Sequence, residues 1–286
     1  MSLSEERLWR AMHSPLVATV RLLTFVAWII VFVPFIAVLM ACGQVRLGRV
    51  AARIFWRVVA AIVGLDRVVR GTVCPDRPAL FVANHASYLD IIALGSLLPA
   101  AFVAKKEVGQ WPVIGVLAKI GRTVLVDRRP RKSLGQRDEM VGRLVDAKES
   151  LILFPEGTSS DGNRVLPFKS ALLSVAEATL PDGRRLPVQP ISLAYTRLDG
   201  MPMGRGWRPF FAWYGDMDLA PHLWAALGLG RVTVEIDFHP VVSFAAFGSR
   251  KALADHCHDI IGCGVTRAIA GRAALSVEPP GEGVKA

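Results

Sequence analysis

Ala79-Leu80-Phe81-Val82-Ala83-Asn84-His85-Ala86-Ser87-Tyr88-Leu89-Asp90 reads as a strand that stops in a turn and passes into a helix. Residues 79–83 are an unbroken apolar run, as expected of a strand covered on both faces, and residues 88–97 carry a helical pattern. His85 and Asp90 stand five apart. On one ideal helix they would point about 140° away from each other. They can meet only if His85 lies in the turn and Asp90 in the first helical turn. A carboxylate held against one imidazole nitrogen fixes the tautomer and stabilises the imidazolium, leaving the other nitrogen to take a proton. The same pair could also do no more than cap a helix.

Outward from this stretch the texture repeats. Short apolar runs at 101–104, 123–127, 151–154, 188–195 and 232–238 alternate with helical stretches at 134–149 and 169–179. That order predicts an α/β fold, a mostly parallel sheet flanked by helices, over residues 65–275. Residues 199–209 are rich in Gly, Pro and Met and read as a loop, and 276–286 as a flexible tail.

Residues 1–64 read as a membrane-anchoring segment. Residues 22–42 carry no charge, and at ~1.5 Å per residue they span a hydrocarbon core of about 30 Å. The run is too long for a signal peptide, and no small-residue cleavage site follows it. Pro34 in its middle also allows a kink or a re-entrant hairpin. In residues 46–64, Arg46, Arg49, Arg53 and Arg57 recur at helical spacing among apolar residues. This predicts an interfacial amphipathic helix, guanidinium groups at lipid phosphates and apolar face in the acyl boundary. The arginines after the span outnumber the basic residues before it, which places the domain on the cytoplasmic side of the inner membrane.

Composition points the same way. Over 286 residues the net charge is +10 and 52% are hydrophobic, with a mean hydropathy of +0.39. Such a chain suits an anionic bilayer or phosphorylated substrates. Nucleic acid is a poor fit, because the basic residues lack aromatic interleaving. Cys42, Cys74, Cys257 and Cys263 match no zinc or disulfide spacing and read as free thiols. There is no G-x-S-x-G, H-E-x-x-H or G-x-x-x-x-G-K-[ST], so a serine hydrolase, zinc protease or P-loop reading has no support.

Two further constellations sit at strand ends. Phe154-Pro155-Glu156-Gly157-Thr158-Ser159-Ser160 follows the run 151–154 and offers amides and hydroxyls to an anion or polar head group. Phe168-Lys169-Ser170-Ala171 opens the next helical stretch. Gly121 through Arg128 ends the run 123–127, and Arg128 is placed to fork onto a phosphate. The basic stretch that follows, to Arg137, reads as a solvated loop or one resting on anionic lipid.

In this order the motifs resemble the glycerolipid acyltransferases, the 1-acylglycerol-3-phosphate acyltransferases and their relatives. N-H-x4-D is matched by Asn84, His85 and Asp90, the glycine-to-D-R block by Gly121, Asp127 and Arg128, and F-P-E-G-T by Phe154 through Thr158. The proline-containing strand is matched loosely by Val188, Pro190 and Ile191, and the stretch Lys105-Lys106-Glu107, Trp111-Pro112 and Gly115 is similar to the family's link between its first two blocks. The resemblance covers about residues 65–240. It implies His85 as base, Asp90 as its orienter, Arg128 and Lys105 on the acceptor's phosphate, and Glu156, Gly157 and Thr158 around the acceptor. It also implies an acyl-CoA or acyl-carrier-protein donor, a lysolipid acceptor within membrane lipids, and no metal or cofactor. Ser159 stands where many relatives that take lysophosphatidic acid carry a basic residue, and the stretches from Asp161 to Pro167 and Trp213 to Met217 look similar to the branch that acylates lyso-ornithine lipid. Arg164 is a candidate replacement for the missing charge. A lipid hydrolase using the same dyad on water, and a non-catalytic lipid-binding protein, are the readings from other classes.

Overall fold

The structure, a computed structural model, describes residues 12–111, 114–126 and 133–272. Among them the chain runs α1 (Pro15–Ala41), α2 (Val45–Val63), β1 (Leu65–Gly71), β2 (Leu80–Ala83), α3 (Leu89–Gly95), β3 (Ala100–Lys105), α4 (Ile114–Ile120), β4 (Val124–Val126), α5 (Ser133–Val145), β5 (Ser150–Leu153), β6 (Pro187–Leu198), β7 (Met201–Pro202), α6 (Leu219–Gly228), β8 (Val232–Phe238), β9 (Val242–Ser243) and α7 (Arg250–Ile269). The sheet order is β1-β8-β6-β2-β5-β3-β4, with β7 and β9 paired to β6. Strands β6, β2, β5, β3 and β4 are mutually parallel; β8 runs antiparallel to β6 and parallel to β1. The mostly parallel α/β sheet is thus present.

Strand alternation divides the core. Phe81, Ala83 and Phe102 face α1, α2 and α3. Leu80, Val82 and Val103 face α5, α7 and the 3₁₀ turn Ser170–Glu177. Every residue of β2 and of β5 is buried, which is why both read as unbroken apolar runs. Because β2, β5, β3 and β4 are parallel, their carboxyl ends share one edge of the sheet, where ligands bind in open α/β folds.

The stretch 169–179 expected as a helix is a 3₁₀ turn over Ser170–Glu177. β1 and α7 are elements that the alternation did not mark. β1 is an edge strand carrying Asp66, Arg67 and Arg70, and Asp66 and Arg70 are paired to Arg231 and Glu235, so its charges hide the strand pattern. α7 is capped by Ser249, whose side chain accepts from Ala252 N.

α1 is 27 residues long and apolar enough to cross a membrane. It also packs along the rest of the molecule. Ser14 N donates to Gly228 O at 2.9 Å, Arg21 donates to the carbonyls of Leu227 and Leu229, and the helix touches α2, α4 and α6. The arginine stripe of α2 needs a correction. Arg49 pairs with Glu149 at 3.7 Å, and Arg57 Nε donates to Ser96 O at 3.1 Å. Leu47, Val50 and Ile54 face outward instead. Buried acceptors on the domain bind a guanidinium more strongly than a wet surface does, so Arg49 and Arg57 bond the domain, although Arg57 stays exposed; the side chain of Arg46 lies outside the described set.

Candidate active site

His85 lies in the turn after β2, and Asp90 is the second residue of α3. His85 Nδ1 meets Asp90 Oδ2 at 2.8 Å. Asp90 is fully buried, and the same Oδ2 accepts from the amides of Ala86 (2.7 Å) and Ser87 (2.9 Å). Its other oxygen accepts from the Tyr195 hydroxyl at 2.6 Å. A carboxylate in this position requires the Nδ1–H tautomer, so Nε2 presents its lone pair to a proton donor.

Several elements hold this pair still. Asn84 bonds both backbone groups of Leu193, donating to the carbonyl at 2.9 Å and accepting from the amide at 2.8 Å. Ala83 is in register with Ile191, and β6 continues well past the end of the shorter β2. Leu193 and Tyr195 therefore follow Ile191 on one face of β6, beside the turn that carries His85. The His85 ring stacks on Phe154, with centroids 4.3 Å apart.

The Glu156 carboxylate sits behind the turn rather than in front of it. Oε1 accepts from His85 N at 2.8 Å and Oε2 from Leu166 N at 3.0 Å. Burial pushes this carboxyl up to about 8, the two amides oppose the shift, and the Asp90 charge adds to it. Glu156 thus fixes the histidine turn to the loop 157–168, and Ser160 N completes the link by donating to His85 O at 2.9 Å. Gly157 has φ +68°, and Thr158 is exposed beside it. The Lys169 side chain lies across Gly157; a Cβ there would stand 3.0 Å from Nζ. Lys105 is exposed at the carboxyl end of β3, on the same sheet edge. Arg128, with Asp127, lies outside the described residues, as does Pro112.

The Trp213 segment forms the neighbouring wall. Trp213 N donates to Ala86 O at 2.8 Å, and the Ser159 hydroxyl donates to Trp213 O. Tyr88 packs edge-on against Trp213 and bonds His222 Nδ1 at 3.1 Å. Beyond Tyr88 a largely apolar cavity of about 500 Å³ opens between α1, α2 and the sheet. Phe25, Ile29, Trp56, Ile92 and Phe102 line it, and Arg122 and Glu149 stand at the opposite edge of the sheet.

A buried carboxylate orienting one imidazole at a strand end, beside an apolar cavity, suits proton abstraction from a hydroxyl of an amphiphile. Comparison with known proteins gives the family. The acyltransferase family model matches residues 63–194. A lyso-ornithine lipid O-acyltransferase of Brucella abortus is 44% identical over 203 residues, covering 70% of this chain and 76% of that protein. The chain belongs to the acyltransferase family. A 1-acyl-sn-glycerol-3-phosphate acyltransferase of Neisseria gonorrhoeae is 31% identical over 193 residues, 67% of this acyltransferase and 71% of the relative. The crystal structure of the 1-acyl-sn-glycerophosphate acyltransferase PlsC from Thermotoga maritima shares the fold, with a TM-score of 0.56 at 22% identity, covering 89% of this chain and all of that one.

The dyad and the F-P-E-G-T loop were readable as motifs. Tyr195 was not, because it reaches Asp90 from 105 residues away through the pairing of β6 with β2. Lys169 was visible as a residue, but only the path of the loop brings it back to Gly157.

Proposed function

We propose that this acyltransferase moves a fatty acyl chain from an acyl-CoA or acyl-carrier-protein thioester to the free hydroxyl of a lysolipid. The observation that carries the reading is His85, held by buried Asp90 with Nε2 left as the acceptor nitrogen. Nε2 takes the proton of the acceptor hydroxyl, and the oxygen attacks the thioester carbonyl. The tetrahedral intermediate collapses, the C–S bond breaks, and the departing thiolate takes the proton from the imidazolium. The thioester is already activated, so no covalent enzyme intermediate and no metal enters. A positioned base contributes ~10²–10⁴-fold, and holding two substrates in line adds more. The apolar cavity beyond Tyr88 suits the acyl chain, each buried methylene contributing ~0.8 kcal/mol.

The test is acyl transfer by the purified protein and by His85→Ala and Asp90→Ala. Transfer undiminished in both variants would refute the dyad. Fatty acid release without an acceptor would favour the hydrolase, and normal cellular lipids with His85→Ala would favour a non-catalytic role.

Two acceptors fit the reading, lysophosphatidic acid and lyso-ornithine lipid. The Ser159 hydroxyl is engaged by the Trp213 carbonyl, so no charge at this position meets a phosphate dianion, which favours lyso-ornithine lipid. So do the names of three relatives, from Brucella abortus, Rhizobium meliloti and Rhodobacter capsulatus, at 44%, 40% and 39% identity. Loss of ornithine lipid against a block in phosphatidic acid, in cells lacking the protein, separates the two. Membrane association follows from α1; the inner membrane and a cytoplasmic active site are our proposal, with the exposed Leu47, Val50 and Ile54 of α2 resting in the same lipid.

A further inference from the structure

We infer that Lys169 binds the anionic group of the acceptor's head, a carboxylate or a phosphate, filling the place that Ser159 leaves without charge. This rests on the lysolipid reading above. Ser159 cannot serve, since its hydroxyl donates to Trp213 O. Arg164 is exposed in the part of the loop next to Asn163, whose amide donates to Arg205 O. Lys169 is equally exposed but is tied to the motif. Its backbone amide is fixed to Pro155 O at 2.9 Å, inside the F-P-E-G-T segment. Its side chain runs back over that segment, with Nζ, Cε and Cδ all within 3.4 Å of where a Gly157 Cβ would be.

With no side chain at Gly157 the ammonium lies close against the loop, and a Cβ there would push it out by a few tenths of an ångström. The φ of +68° holds the loop in a left-handed turn that favours glycine. Glu156, one residue back, bonds the His85 amide, so the ammonium sits over the loop that is tied to the base. Lys169 is exposed, and among the described residues it forms no ion pair. An ammonium is a compact point charge with three donors and does not require the planar fork geometry of a guanidinium. It accepts a carboxylate or a phosphate alike.

The test uses the full-length protein in mixed micelles with three acceptors: lysophosphatidic acid, lyso-ornithine lipid and uncharged monoacylglycerol. With Lys169→Met, KM for the anionic acceptor should rise roughly 10- to 100-fold, the range for losing a hydrogen bond to a charged group. The kcat and the KM for acyl-CoA should hold, and Lys169→Arg should restore most of the loss. The anionic acceptor that shows the rise identifies the head group. An unchanged KM, an equal rise with monoacylglycerol, a rise in KM for acyl-CoA instead, or no rescue by Lys169→Arg would each overturn the inference. Failure of the unmodified protein to acylate any of the three would sink the lysolipid reading and this inference with it.

Discussion

Among the described residues Asp90 accepts four hydrogen bonds with two oxygens, and Tyr195 supplies the one on Oδ1. Tyr195→Phe leaves that oxygen buried and unpaired, at a cost of roughly 1–3 kcal/mol. We expect urea unfolding to show that loss and kcat to fall about tenfold, one factor of ten for each ~1.4 kcal/mol, while substrate KM values stay unchanged. A buried histidine meets the neighbouring position of β6, on the other face of the strand. His239 Nε2 meets Ser192 Oγ at 3.0 Å, and Gly264 on α7 packs there because a Cβ would stand 2.3 Å from that hydroxyl oxygen. Burial lowers His239 to about 4, below the ~6.5 of the unfolded chain. The folded state therefore favours the neutral ring. Its contribution is whole above about pH 6.5 and is lost as the pH falls toward 4, up to about 3 kcal/mol. Thermal unfolding should decline across that window, and less so for His239→Gln. His85 and Asp90 were legible because a short turn brings neighbours in sequence together. Tyr195 and His239 were not, because strand register sets their contacts.

The loop between β5 and the 3₁₀ turn acts as a brace, and Glu156 is its joint. Glu156→Ala removes two buried acceptors, the partners of His85 N and Leu166 N, each worth roughly 1–3 kcal/mol. Activity should drop by more than tenfold even though Glu156 bonds the backbone of the turn and not the imidazole ring. The pH dependence carries the opposite sign to that of His239. The folded carboxyl titrates near 8 and the unfolded one near ~4.3. Its stabilisation is whole below about pH 4.3 and is lost as the pH rises to 8; Glu156→Gln should flatten the decline across that window in an unfolding series. The sequence reading assigned Glu156 to the acceptor, because a strand-end carboxylate gives no hint of whether it faces the ligand or the backbone behind. β2 and β5 were legible for a plain reason: both are buried on both faces. α7 could have been found from Leu253, Cys257, Ile261 and Val265, spaced by four behind the Ser249 cap.

The packing of α1 along the domain bears on how the whole protein meets its membrane. Its first turn is bonded to the carbonyl end of α6, its length touches α2 and α4, and it lines the apolar cavity with Phe25 and Ile29. A helix so engaged would have to draw the domain into lipid in order to cross it upright. α1 runs unbroken through Pro34, so we favour a hairpin that turns at residues 42–44, with α1 and α2 lying in one leaflet. Cys42, exposed at the turn between the two helices, and Cys263, exposed on α7, stay on the cytoplasmic side in either arrangement. The end that differs is the start of α1, so the probe is Met12→Cys. An impermeant maleimide applied from outside should leave that thiol unmodified, and its labelling from outside would establish a crossing. The shared wall of the cavity has a practical outcome. The apolar helix α1 is also a wall of the cavity we propose for the acyl chain, so a core cut at residue 65 should lose transfer while its dyad stays in place. Purification schemes that discard the anchor would be discarding about a third of the residues that line the cavity.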